Sequence, residues 1–434
     1  MGATDKLIDE FCFATRRLLQ PPVHAGCACI GLRHVVAGCR LSRLSRPDRP
    51  PAQAANAAQA EPSVPELLRD AKLHGPEFPV TVDQLRRILA EQHKAHKRDA
   101  EQAKLLLSFK LTERLTGPTL QRIQTTLKPG GKTRTALELL SDQSAFLSAP
   151  AAELPDNPVP DFAAQQAIVD RAVEFVTVRL KHLPDFMATR TTRNFNDEPL
   201  IVRTSGGTKA LRQGLRLAGV YPQEITYRNR REVVTNLSMS SGDGRRRAYQ
   251  TNPKPQLVTI GDFGGILATI LSDAVKGAIA WSHWEQTAAG LAAVFDYRVP
   301  ATASHYGVEF CCVTNSLSPG AELPSGVSNS YHGAPGYDGS LFIDPATGAI
   351  LRMTLESEFL PGAPILRSTL WVQYGRVDIG GTTYVCPVRS GAVTFALSVG
   401  LGGDNETVEQ INDVTFTDYH RFRASVKILD SPPQ

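Results

Sequence analysis

The chain has no apolar run of about 18 residues, so no stretch of it is suited to cross a membrane as a helix. It has no Cys-x-x-Cys pair, which removes the commonest zinc spacing. Its seven cysteines are an odd number that includes the adjacent Cys311 and Cys312, which is no disulfide framework. Cys386 and that vicinal pair sit in β-like segments, where buried thiols are the expected state and one bridge is the alternative. Charge of one sign is also missing: the net value is +4 over 434 residues, and much of the excess lies between Arg33 and Arg49. A nucleic-acid binder spreads its basic residues over a folded face among aromatics, so no nucleic-acid partner is expected.

Catalytic signatures are lacking too. There is no GxSxG elbow, no HExxH and no SxxK. Gly131-Lys132-Thr133 ends as a phosphate-binding loop would, but Thr126 stands where that loop needs glycine, and a helix stop and restart explains the triplet. His93 and His96, flanked by Lys94, Lys97 and Arg98, read as a solvated basic face. Asp262-Phe263-Gly264 reads as a helix opening. Three histidines have polar neighbours: His283 beside Ser282 and Glu285, His332 in a glycine-rich stretch beside Tyr331, and His420 beside Asp418 and Tyr419. On strands, His283 with Glu285 and Asp418 with His420 share a face, the geometry that orients an imidazole. No nucleophile accompanies them, so no catalytic residue, cofactor or metal site is assigned.

What the chain does have is a change of pattern along its length. Residues 1–63 carry a lipobox-like Val36-Ala37-Gly38-Cys39 behind an apolar stretch interrupted by Arg33 and His34, then a Pro, Ala and Gln-rich linker; they read as a disordered leader or atypical signal. Residues 64–150 are predicted to form a small helical module. Its helices cover Val80 to Lys104, Leu105 to Leu115, a third capped by Thr119 with Leu120, Ile123 and Leu127 on one stripe, and Thr133 to Leu147. A proline-rich linker, 151–161, follows. Residues 162–430 then read as one antiparallel domain with covering helices at 162–182 and 264–276 and turn residues every 8–12 positions. Within it, Asp344-Pro345-Ala346-Thr347-Gly348 supplies the chemistry of a tight turn, and Leu351, Met353 and Leu355 alternate onto one face of the return strand. Arg228, Arg230, Arg231 and Arg245-Arg246-Arg247 form a basic strand edge, which blunts edge-to-edge pairing.

Several segments in fixed order carry a resemblance: LTERLTGPTLQRI (Leu111–Ile123), LPDFMATRTTRNF (Leu183–Phe195), TIGDFGGILATIL (Thr259–Leu271), AAVFDYRV (Ala292–Val299), WVQYGRVDIGGTTYVCPV (Trp371–Val388) and VTFTDYHRFRASVKI (Val414–Ile428). Over residues 75 to 430 the chain resembles a group of exported bacterial proteins of uncharacterised activity. The strand and helix order is similar at the level of fold to the open β half-barrel of the lipoprotein-sorting factors LolA and LolB. That resemblance implies an α+β fold, a helical module followed by a curved antiparallel half-barrel with covering helices. It implies a non-enzymatic protein of the periplasm or cell envelope, with a lipid or lipidated protein as partner. The apolar lining it implies is Phe186, Phe195, Phe263, Leu267, Leu271, Leu351, Met353 and Leu355, residues a plain core would also use. A structural scaffold, and a hydrolase built around His332 or His420, are the alternative readings.

Overall fold

The structure, a computed structural model, describes residues 62–421 apart from 75–76, 205–206, 212–213, 230, 237–261, 275–277, 312–327 and 400–404. An N-terminal helical layer and a later pair of helices enclose one ten-stranded antiparallel sheet. This is a mixed α+β architecture whose curved sheet stays open rather than closing into a barrel.

The helical layer contains α1 (Val64–His74), α2 (Val82–Lys94), α3 (Asp99–Leu106), α4 (Gly117–Leu127) and α5 (Gly131–Gln143). Each helix turns its aliphatic stripe inward, so that Leu85, Ile88, Leu106, Leu137 and Leu140 are almost wholly buried together, joined by Leu115 from the connection before α4. Thr81 and Gln84 close a reciprocal capping box at the start of α2. Replacing Thr81 by Ala is expected to cost about 1 kcal/mol of stability in a denaturant titration.

Three details depart from the sequence reading. The run over 80–104 is two helices, because His96 takes a left-handed backbone (φ 50) and the chain restarts at Asp99. The segment 105–115 is largely not helical: Phe109 and Leu111 bury on alternate positions in β2 (Phe109–Leu111), which pairs in parallel with β1 (Phe78–Val80). The cap of α4 is Thr116 rather than Thr119. Gly131-Lys132-Thr133 does open a helix, and the backbone N–H groups of Lys132 and Thr133 donate to the carboxylate of Asp99 at 3.0 and 2.9 Å.

After a linker, α6 (Phe162–Glu174) runs on through a π turn (Phe175–Arg179) and a 3₁₀ turn (Leu180–His182), so the expected 162–182 helix is one rod with a widened turn inside it. The strands that follow are β3 (Phe186–Asn196), β4 (Leu200–Thr204), β5 (Gly207–Leu211), β6 (Arg216–Arg228) and β7 (Arg231–Asn236). Helix α7 (Gly265–Ala274) precedes β8 (Ala278–Thr287), β9 (Gly290–Val299), β10 (Val308–Cys311), β11 (Ser330–Gly333) and β12 (Gly336–Ile343). The chain then builds β13 (Ile350–Glu358), β14 (Ile365–Asp378), β15 (Thr383–Val399) and β16 (Asn405–Arg421).

The sheet order is β7-β6-β3-β16-β15-β14-β13-β12-β9-β8, which is two meanders joined where β16 pairs with β3. β15 is one strand where the sequence suggests two. A register shift between Gln373 and Tyr374 of β14 accommodates Pro387, which cannot donate to a regular ladder. Of the expected basic edge, Arg230 and Arg245–Arg247 lie outside the described residues.

Candidate functional site

Alternation gives the sheet two unlike faces. On the first, Phe295, Tyr297, Leu341, Met353, Leu355, Leu370 and Val372 project from β9, β12, β13 and β14 against Ile168, Val176, Leu267 and Ile270 of the α6 rod and α7. These side chains are nearly all inaccessible, so the space between sheet and helices is filled. Polar anchors fix α7 at its ends. The Asp273 carboxylate accepts from the Tyr337 hydroxyl (2.8 Å) and the His305 backbone N–H (2.8 Å), and it meets His305 Nδ1 at 2.5 Å. At the other end the Tyr374 hydroxyl donates to the Asp262 carbonyl (3.1 Å), and Gly264 takes φ +112. Asp262 does not cap α7 with its side chain, as the sequence reading had it: both carboxylate oxygens are buried without a hydrogen-bond partner among the described residues, and burial pushes the group above the usual carboxylate range.

The residues implied as a lining separate into four groups. Leu267, Leu271, Met353 and Leu355 belong to the core just described. Phe186 and Phe263 form an aromatic nest with Tyr227, Phe416 and Tyr419, their own ring centroids 5.3 Å apart. Phe195 packs with Leu139 of α5 on the opposite face. Leu351 joins Phe342 on that opposite face as well, because a register shift at Phe342/Ile343 places an extra residue in β13 and turns Leu351 away from Met353 and Leu355.

Cys386 has a free thiol within the aromatic nest, and burial pushes its pKa up to about 12. Alkylation at pH 8 followed by peptide mass mapping is expected to leave Cys386 unmodified until denaturant is added.

The second face is covered by the helical layer through charges and aromatic rings. Arg114 pairs with Glu285, Glu138 with Arg193, Asp142 with Arg389 (2.9 Å), and Asp413 bridges Arg193 and Arg389. Burial works to raise Glu285, but the His283 hydrogen bond and the Arg114 and Arg352 charges outweigh it and hold the carboxyl below its ordinary value. Between these pairs, guanidinium groups and rings alternate across the strands: Arg114 and Arg352 stack on Phe342, and Arg352 and Arg389 on Trp371, all at 5.2–5.5 Å. This ladder carries no sequence periodicity of its own. The signal that could have found it is an arginine or aromatic at the same face position of each successive strand.

At the margin of this face, half-buried Glu409 accepts from the Gln143 amide (3.2 Å). Burial, outweighing that hydrogen bond, pushes it from 4.5 up to about 7. A raised carboxyl is stabilising below its unfolded pKa, and that contribution is lost as pH rises through 7. Glu409→Gln is therefore expected to raise the melting temperature at pH 8 and to leave it unchanged at pH 4.

The histidines divide. Ser282 Oγ lies 3.0 Å from His283 Nδ1, and His283 Nε2 lies 3.2 Å from Glu285, so the expected His283–Glu285 pair forms. The carboxylate is committed to Arg114, and the cleft beside Glu285 is lined by neither Ser282 nor His283. His420 contacts the backbone oxygen of Asp418 (2.7 Å) rather than its carboxylate, because Asp418 takes φ 55 at a register shift. His332 is exposed on the short strand β11, opposite Glu309, rather than in a loop. No helix among the described residues is long and apolar enough to cross a membrane.

No protein-family model and no curated protein matches the chain. Among solved structures it is similar to a LolA superfamily protein from Nitrosomonas europaea, at 10% identity and a TM-score of 0.23, over 60% of this chain and 94% of that one. It is similar also to a putative outer membrane lipoprotein-sorting protein domain from Vibrio parahaemolyticus, at 10% identity and a TM-score of 0.22, over 61% of this chain and 95% of that one.

Proposed function

We propose that this is a non-enzymatic, envelope-associated binding protein that receives an apolar chain, from a lipid or a lipidated partner, on the sheet face beneath α6 and α7. One observation carries the reading: among the described residues, an apolar face continuous across β8, β9 and β12 to β15 is covered chiefly by two helices. Because that space is filled, entry requires α7 or the α6 rod to lift, and the chain has points where each can bend. The π turn at Phe175–Arg179 interrupts the α6 rod, and Gly264 opens α7 in a left-handed backbone. An acyl chain would then replace the helix contacts, gaining about 0.8 kcal/mol for each methylene withdrawn from water.

Mass spectrometry of an organic extract of natively purified protein tests this, together with titration of a fluorescent fatty acid into delipidated protein. The expected result is a co-purifying acyl lipid and saturable binding. An extract without lipid and a flat titration would overturn it.

A further inference from the structure

On the other face, between the helical layer and the sheet, lies a small cleft with a cavity volume of about 50 Å³. Its lining includes Arg352, Trp371 and Gln373 of the sheet, the apolar Leu120 and Leu351, and the carboxylate-bearing Glu285. Arg352 differs from every other guanidinium of the ladder. Arg114, Arg193 and Arg389 each touch a carboxylate, whereas Arg352 has one hydrogen bond among the described residues, from a terminal nitrogen to the Ala145 carbonyl (3.0 Å). Its Nε is buried without a partner among the described residues. The indole N–H of Trp371, a residue only 4% exposed, also has no acceptor among the described residues. Two buried donors without a partner, on residues that both line this cleft, are costly to keep unless something accepts from them.

We infer that this cleft is a binding site for a small monocarboxylate, held by the Arg352 guanidinium and the Trp371 indole N–H, with its apolar end between Leu120 and Leu351. A planar carboxylate suits a guanidinium edge, and Arg352 lines this cleft without touching a carboxylate among the described residues. Glu285 on the same wall opposes a dianion, which separates a carboxylate from inorganic phosphate. Burial together with the neighbouring Arg114 charge pushes the Arg352 guanidinium down to about 9, the direction expected of a cation awaiting a counter-ion. The site lies across the sheet from the proposed apolar face and stands without that reading.

Isothermal titration of the full chain with butyrate, butyramide and inorganic phosphate tests the inference. Butyrate is expected to bind saturably with one site, and butyramide, its uncharged counterpart, ~10-fold or more weakly. Arg352→Met is expected to abolish butyrate binding. Because that change also removes the contact to Ala145, Trp371→Phe serves as the milder variant, with binding weakened ~3–10-fold while the fold is kept. No saturable butyrate heat at tens of millimolar would overturn the inference. So would equal binding of butyramide, tighter binding of phosphate, or a folded Trp371→Phe protein that binds butyrate as the parent does.

Discussion

Arg114→Met is expected to destabilise the protein by about 3–5 kcal/mol, because it leaves the Glu285 carboxylate buried without its guanidinium. Both side chains of this pair are 6% exposed, so water cannot replace the lost partner. Arg114 lies in the connection between β2 and α4 of the helical layer, and Glu285 is on the sheet's edge strand β8, so the loss falls on the seam between the two. Arg114 also stacks on Phe342, and methionine keeps part of that packing, which leaves the charge as the main term. The double variant Arg114→Met/Glu285→Leu removes both charges and is expected to recover most of the stability. Chemical denaturation of parent, singles and double gives the coupling directly. A single variant as stable as the parent would show that the layers are held by apolar contact alone.

Gly348→Ala is the second large effect, expected to cost about 2–4 kcal/mol. The turn that contains it is built by Asp344. The Asp344 carboxylate accepts from the Ala346 N–H and the Thr347 hydroxyl, both at 2.9 Å, and the Gly348 N–H donates to the Asp344 carbonyl at 2.9 Å. Gly348 closes the turn at φ +73, a backbone that residues with a Cβ adopt at a cost. A Cβ there would also lie 2.3 Å from the backbone carbonyl of Arg171 in α6, and backbone cannot swing aside as a long side chain can. The substitution therefore strains the turn and pushes the α6 rod outward together. Hydrogen exchange is expected to quicken in α6 and hardly at all in α5, across the sheet. If α6 covers a lipid site, the same variant releases bound fatty acid faster. Unchanged exchange in α6 would mean the turn and the helix move apart freely.

These two positions also show what the sequence could tell. The turn at 344–348 was legible because Asp, Pro and Gly each act through their own backbone preferences. What Gly348 touches was not, since Arg171 lies far away in the chain. The same division holds elsewhere. Alternation identified β9, β13 and β14, and turn residues separated them. A one-residue bulge then reversed Leu351, which no local pattern announces. Phe195 was placed with the lining by its apolar character, yet its strand carries it to the other face, against Leu139. The second face escaped notice for a related reason. Its arginines and carboxylates look like ordinary surface charge until the helical layer is laid over them.

The position of β16 has a consequence for how this chain is made. It lies between β15 and β3, so the last strand of the sheet to leave the ribosome is the one that joins both meanders. Until it emerges, two half-sheets wait with the open edges of β3 and β15 facing solvent, each a template for pairing with another chain. Synthesis that stalls before residue 405 thus yields one chain whose two half-sheets stay unjoined, and a holding chaperone is most needed until β16 has emerged.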